Sequence, residues 1–316
     1  MNEHDKLFKE IESVKENAAD LIRSVFPKEI KNEIDLESLQ LDNNSYIDKQ
    51  LKEHYTDLVY NCKRKVNHSV KISLLFEHKS YKPKNEYLQL LRYMINIWSY
   101  QEKNNENLTL IVPIIFYHGK QRWTIFTLKD FFQGCNNDWA QFVPDFRYLL
   151  TDVARYDDET IKKKLYKREF NRALALIFKY INNESLLFEK LYDIMYQLKD
   201  YLDNEKDVQL IMSFLTYMMS YTNITPEHLM TITRQISEKG ESVVMSTAMK
   251  LREEGKLEGI EEGIQKGIQK GMKVGVTKGK AEGKLETARA MLKDGFSIDN
   301  ISKYTGLSEK EIESLE

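Results

Sequence analysis

A chain of 316 residues with 41% hydrophobic side chains, 18 tyrosines, 14 phenylalanines and only five prolines can bury one large core or two smaller ones, which excludes extensive disorder. Its net charge of −2 balances 47 basic against 49 acidic residues, so partners must be sought in local clusters rather than in the total. The two cysteines, Cys62 and Cys135, lie far apart and form no ligand pattern, which argues against a disulfide framework or sulfur-held zinc and for buried thiols in a reducing compartment.

Residues 3–25 carry apolar side chains at helix spacing (Leu7, Ile11, Val14, Ala18, Leu21, Ile22, Val25), and Pro27 closes this first helix. "LESLQLDNNSYI" reads as a strand, and "YTDLVYNCKR" and "VKISLLFEHK" as a strand pair around a basic turn. In "KNEYLQLLRYMINIWSYQ" the residues Leu88, Leu91, Ile95 and Trp98 mark one helical stripe, and "LTLIVPIIFYHG" is a buried strand. The order is αβββαβ, with a further strand at "FRYLLTDV". The longest apolar run, "LTLIVPIIF", is about half a membrane span and holds Pro113, and the charged start "MNEHDKLFKE" has no apolar h-region. A soluble, cytoplasmic protein without a membrane partner is expected.

From Asp158 to about Glu254 the period is helical, with breaks near Asn182, Asp203 and Asn223 and a helix start at Thr225-Pro226-Glu227. Glycine then falls at every fourth position from Gly255 to Gly283, eight of the chain's 13 glycines. In a helix these cost about 1 kcal/mol each relative to Ala, so either close helix–helix contact offsets them or the segment is a partly helical tether. Four residues turn a helix by about 400°, so the row drifts and cannot keep facing one straight partner. Gln265 to Lys280 carries five lysines and no acid. The final segment has the rhythm helix, Gly295, short helix, Gly306, short helix of a helix-turn-helix, yet "SEKEIESLE" is too acidic to approach phosphate, which favours a packing or interaction unit. The expected divisions are 1–157, 158–254, 255–284 and 285–316.

Alternation puts Val70, Ile72, Leu74, Phe76 and His78 on one face of their strand and Lys71, Ser73, Leu75, Glu77 and Lys79 on the other. The second face grows polar toward its C-terminal end and finishes in a carboxylate beside an ammonium group. Asp57, on the preceding antiparallel strand, can approach Glu77 across the hairpin. Two close carboxylates repel unless a proton or cation relieves them. A divalent ion such as Mg²⁺, held by one or two carboxylates with waters and phosphate oxygens completing its shell, matches that sparse donor set. It would polarise a phosphate and lower the pKa of a bound water, which Lys79 could orient, and the reaction implied is phosphodiester hydrolysis. On periodicity alone, Glu77 and Lys79 read equally as a surface ion pair.

The αβββαβ order with Asp57 and Glu77-x-Lys79 resembles the restriction-endonuclease-like PD-(D/E)XK fold, over roughly residues 1–120. Gln89 and Tyr93, four apart on one helix face, resemble the Gln-x-x-x-Tyr motif of its RecB-like branch, with helix packing the alternative. "HDKLFKE", "YTDLVY", "LLFEHKS", "LLRYM" and "VPIIFYHG" together resemble the Rpn family, the recombination-promoting nucleases also described as YhgA-like transposases. A helical middle region, a glycine-repeat tail and a terminal helical unit extend the likeness over most of the chain. The resemblance implies an α/β nuclease core with a helical middle region and tail. It further implies a DNA endonuclease dependent on Mg²⁺ (or Mn²⁺ or Ca²⁺), with Asp57 and Glu77 as metal ligands, the His78 carbonyl completing the shell and Lys79 positioning the water. Thr56 stands where the namesake motif has proline.

Lys9 on the opening helix is a candidate phosphate contact. Lys63, Arg64, Lys65 and Lys71 at the hairpin, with Lys82 and Lys84, read as a basic ring near the site or as an ordinary solvated turn. No base-reading set is visible, so low sequence specificity is expected. His118, at the end of a buried strand, reads as a core-edge residue rather than a ligand. Two alternatives stay open beside the nuclease: a non-catalytic DNA-binding or assembly protein on a degenerate nuclease fold, and a strand-joining transposase. A homo-oligomer, such as a dimer through the tail, is expected.

Overall fold

The N-terminal segment is helical as its spacing predicts, but it forms two helices rather than one: α1 (Glu3–Glu12) and α2 (Lys15–Val25) part at Ser13 and Val14. The Asn17 amide donates to the Ile11 carbonyl (2.9 Å) and the Ser13 hydroxyl to that of Lys9, so side chains take carbonyls at the break. Apolar positions on either side stay in phase, which is why periodicity does not reveal the interruption. The computed structural model describes residues 3–42, 56–65, 69–77, 86–203 and 207–315, with the backbone alone at 56, 57, 69 and 71–77.

After α3 (Lys28–Glu33) come β1 (Ile34–Leu41), β2 (Thr56–Arg64), β3 (Ser69–Glu77), α4 (Glu86–Lys103), β4 (Leu110–Tyr117), α5 (Asn137–Ala140) and β5 (Leu149–Asp152). The expected first strand thus begins two residues earlier, and its stretch beyond Asp42 lies outside the described residues. The five strands form one sheet in the order β1-β2-β3-β4-β5. β1, β2 and β3 are an antiparallel meander, and β4 and β5 add parallel to β3. Such a mixed α/β order needs a crossover between β3 and β4, which α4 supplies.

Period-two alternation sorts the strands into two cores. Leu58, Tyr60, Cys62, Val70, Ile114 and Phe116 join residues of α1, α2 and the later helices in one core. Val59, Ile111, Ile115 and Tyr117 join Tyr87, Leu90, Tyr93, Met94 and Ile97 of α4, with Trp123, Leu128 and Tyr148, in the other. The sheet is therefore covered on both faces. The α4 face differs from expectation: the buried row is Tyr87, Leu90, Met94, Ile97 and Gln101, whereas Leu88 is 37% and Ile95 47% exposed. Both rows obey helix spacing and both are apolar, so spacing alone cannot choose between them.

The middle region is a helical layer on the first face: α6 (Asp158–Thr160), α7 (Glu169–Tyr180), α8 (Glu184–Tyr196), α9 (Lys199–Leu202), α10 (Val208–Tyr221) and α11 (Pro226–Ile236). Its breaks include the predicted ones, and Thr225 caps α11 by accepting from the His228 amide with Pro226 at the first helical position. α7, α8 and α10 share a core with α1, α2 and the sheet, so the helical layer and the sheet are one body. Two compact units divide the chain, Met1–Ala248 and Met249–Glu316.

The glycine segment is helical: α12 (Gly240–Lys293) runs without interruption through it. In the second unit, α13 (Ile298–Thr305) and α14 (Glu309–Glu313) pack with the end of α12 around Ala288, Ile301 and Ile312. Gly295 (φ 83°) and Gly306 (φ 69°) make the two turns in the left-handed region that glycine allows. Among the described residues no helix is long and apolar enough to cross a membrane.

Candidate active site

The strand register fixes where the two acids lie. Asp57 is opposite Leu75, Leu75 is opposite Ile115, and Glu77 is opposite Tyr117. Residues paired across strands share a face and so do residues two apart, so Asp57 and Glu77 occupy the face of Val59, Ile115 and Tyr117, the one covered by α4. They are diagonal neighbours across β2 and β3, a relation that places backbones about 7–8 Å apart. β2 starts here while β3, β4 and β5 all end here, so the pair stands at one rim of the sheet. His78 and Lys79 lie outside the described residues.

Helix α4 brings its first three turns over this face. Tyr93 is buried, Gln89 is half-buried, and the two stand four residues apart. Around them is an aromatic floor with its polar tips engaged. The Tyr87 hydroxyl donates to Asp145 (3.0 Å) and its ring lies 4.1 Å from that of Phe146. Trp123 Nε1 donates to the Tyr148 hydroxyl (2.9 Å), and Tyr117 donates to the Gln121 carbonyl (2.8 Å). Burial pushes the Tyr87 and Tyr148 phenols up to about 12, so both hydroxyls stay protonated at neutral pH.

Two further carboxyls belong to this layer, and the sequence reading passed over both. Glu86, the first residue of α4, is 1% exposed, and its charge is felt by Tyr148. In sequence it reads as an ordinary acid at a helix N-terminus. Asp152 pairs with Tyr117, which pairs with Glu77, so the three form a row across the rim. Burial raises the Asp152 carboxyl above its usual range against the pull of Arg155, whose Nε donates to it at 2.9 Å. The sequence signal for Asp152 was only its place at a strand end.

The proposed basic residues do not gather here. Lys63 is six residues along β2 from Asp57 and pairs with Ser69 beside the turn, about 20 Å away at 3.4 Å per residue. Arg64 is ion-paired to Glu33, and the Lys65 amide donates to the Glu33 carbonyl. A hairpin sends its turn and its open end in opposite directions, so Lys63, Arg64 and Lys65 stand far from the rim the acids occupy. Lys9 is exposed on α1, whose Leu7, Phe8 and Ile11 enter the core on the opposite face. His118 is a core-edge residue, its ring stacked on Phe178 at 4.7 Å.

Among the described residues no group of three His, Cys, Asp or Glu side chains is placed to hold a metal ion, and Asp57 and Glu77 enter by register alone. Asp57 and Glu77 share one face at one rim by register, and carboxylates are the hard oxygen donors that suit a divalent ion of the Mg²⁺ kind.

A family model described as "Putative transposase, YhgA-like" matches residues 2–237, and one described as "Rpn/YhgA-like nuclease family, C-terminal HTH domain" matches residues 281–316. The chain is similar to three Escherichia coli (strain K12) proteins. Recombination-promoting nuclease RpnA is 24% identical over 312 residues, 98% of this chain and 95% of the relative. Inactive recombination-promoting nuclease-like protein RpnE is 24% identical over 278 residues, 80% and 90% respectively. Recombination-promoting nuclease RpnC is 28% identical over 159 residues, 50% and 53%. No solved structure matches. The second model gives the terminal three-helix rhythm the helix-turn-helix description that its acidic last helix had argued against as a DNA reader.

Proposed function

Because the chain belongs to the Rpn/YhgA-like family, we propose that it is a divalent-metal-dependent DNA endonuclease built on a PD-(D/E)XK core. Asp57 and Glu77 would hold the ion with the His78 carbonyl, and Lys79 would position the attacking water. The observation that carries this reading is the register of β2 on β3, which puts both acids on one face at one rim, under the helix bearing Gln89 and Tyr93. Relatives named nucleases support it. When bound, the ion would supply Lewis acidity and a water of lowered pKa. The chain's own groups do the rest. Lys79 would orient that water and offset charge developing on the phosphate, while Tyr93, buried in the core beneath α4, fixes the strand edge and the half-buried Gln89 would meet the backbone of the DNA. The basic turn of β2 and β3 is too distant to act at the scissile phosphate, and the helix-turn-helix unit is a second place for DNA to be held.

A relative over nine-tenths of its length is named inactive, which supports the alternative of a DNA-binding protein that does no chemistry. Plasmid cleavage with and without Mg²⁺ separates the two. The intact protein should nick or linearise DNA only with the ion, and Asp57→Ala, Glu77→Ala and Lys79→Ala should each abolish this while keeping the circular dichroism of the parent. Cleavage that survives in all three variants refutes the assignment, and intact DNA with the unaltered protein favours the non-catalytic alternative.

A further inference from the structure

Residues 252–284 of α12 are exposed at every position and run for about 50 Å at 1.5 Å per residue. Among the described residues, a Cβ added at any of its eight glycines would meet nothing within 4 Å, so no contact they make offsets the helix-breaking tendency of the glycines. Beside the glycine row runs a second row with the same period: Ile260, Ile264, Ile268, Met272 and Val276, each 50–68% exposed. Large apolar side chains next to bare backbone, repeated every turn, make a face of knobs and gaps. Eight glycines cost this helix roughly 8 kcal/mol relative to alanine, so the face calls for a partner.

Charge identifies the partner. Between Glu253 and Glu262 the helix has five glutamates and one lysine, and between Gln265 and Lys280 five lysines and no acid. The two halves are opposite in sign, so the segment complements itself when turned end for end. We propose that this face docks a second copy of the same segment, antiparallel, about a two-fold axis between Gln265 and Lys266. In that register two residues are level when their numbers sum to 531. Ile260 then meets Gly271, Ile264 Gly267, Ile268 Gly263, Met272 Gly259 and Val276 Gly255, so every knob faces a gap. Glu253, Glu258 and Glu261 are level with Lys278, Lys273 and Lys270, and no like charges are level. Sliding the pair by four residues keeps knobs on gaps but matches only two Glu–Lys levels one way, and only one the other way, where Glu253 also faces Glu282.

An in-register parallel pair would set glutamates on glutamates. A staggered parallel pair would leave half of each helix unmatched and would not close. Rows at four-residue spacing are inclined to the helix axis and advance about 40° per repeat, so the two copies wrap with the right-handed sense that a period above 3.6 imposes. That answers the drift that bars a straight partner. The glutamates and lysines stand away from the apolar contact, so they act through their field to choose direction and register, while the interlocked rows provide contact.

Light scattering on the full chain should give twice the 37.4 kDa of one chain. The triple variant Lys270→Glu, Lys273→Glu, Lys278→Glu should weaken the pair roughly tenfold or more at low salt. Adding Glu253→Lys, Glu258→Lys and Glu261→Lys should restore it. That rescue distinguishes lost pairing from lost folding. With Cys135→Ser as background, a mixture of Glu258→Cys chains and Lys273→Cys chains should be joined by a short thiol bridge, and neither chain alone. A monomer at all concentrations, a dimer indifferent to the triple reversal, failure of the six-residue exchange to restore pairing, or bridging of Glu258→Cys to itself would each overturn the proposal. Nuclease activity plays no part in the readouts.

Discussion

Glu12 offers a quantitative test of the core on the first face. It ends α1 fully buried, and neither carboxyl oxygen has a hydrogen-bond partner among the described residues. Burial, and then the charge of Asp20, push its carboxyl well above the usual 4.5. The phenols of Tyr60 and Tyr166 feel its charge, and the Tyr60 hydroxyl donates to its backbone carbonyl rather than to its side chain. The folded chain therefore keeps a proton that the unfolded chain releases above about 4.5. Stability attributable to this group is fully present below that pH and is lost as pH rises toward the folded pKa, by about 1.4 kcal/mol per pH unit. Glu12→Gln removes the titration and Glu12→Leu also removes the unpartnered polar group, which should add about 1–3 kcal/mol at neutral pH. Urea unfolding at pH 5.5, 6.5 and 7.5 reads both. A Glu12→Gln variant whose stability declines with pH as steeply as the parent's would show that the Glu12 carboxyl is not the group that holds the proton.

Three other outcomes follow from the geometry. Lys63→Ala, Arg64→Ala and Lys65→Ala together should leave the salt dependence of DNA binding at the rim of Asp57 and Glu77 unchanged, whereas loss of three phosphate contacts would flatten the logarithmic slope by about 2.7. Ile97→Ala should cost about 2–5 kcal/mol and Ile95→Ala no more than about 0.5, because only the first side chain is buried; equal effects in thermal melts would restore the other stripe. Tyr87→Phe deletes the hydroxyl that binds Asp145 and the Phe146 backbone and should lower stability by about 1–2 kcal/mol, with an unchanged melting temperature counting against that tether.

The strands were legible because alternation and length agree: β2, β3 and β4 fall within one or two residues of their apolar runs. Thr225-Pro226 marked α11 by capping chemistry that needs no tertiary context. What stayed hidden depended on choices between equals. Leu88-Ile95 and Leu90-Ile97 are equally apolar rows, and only the position of the sheet decides which is buried. Lys63 and Asp57 are six residues apart in sequence and look like neighbours, but an extended strand makes that separation the length of the hairpin. Glu86 and Asp152 were missed because sequence shows an acid's residue type and not which elements close over it.

The same register yields a sharper test of the acid pair than loss of activity. If Asp57 and Glu77 serve one ion, removing either leaves a single carboxylate facing a strongly hydrated cation, and the second removal has little left to undo. If each merely sits at the rim in its own ion pair, the two losses are independent. Residues that act as a unit give grossly non-additive effects, whereas independent sites add to within about 0.3–0.5 kcal/mol. Mn²⁺ binding by Asp57→Asn, Glu77→Gln and the double variant, followed by the ion's magnetic resonance signal, reads the coupling directly and does not require DNA. The isosteric amides keep the strand pairing of Asp57 with Leu75 and of Glu77 with Tyr117, so backbone disruption does not enter the cycle. Each single variant should lose most of the affinity, and the double variant should bind scarcely more weakly than either. Two independent, additive losses would mean that the shared face does not make a shared site.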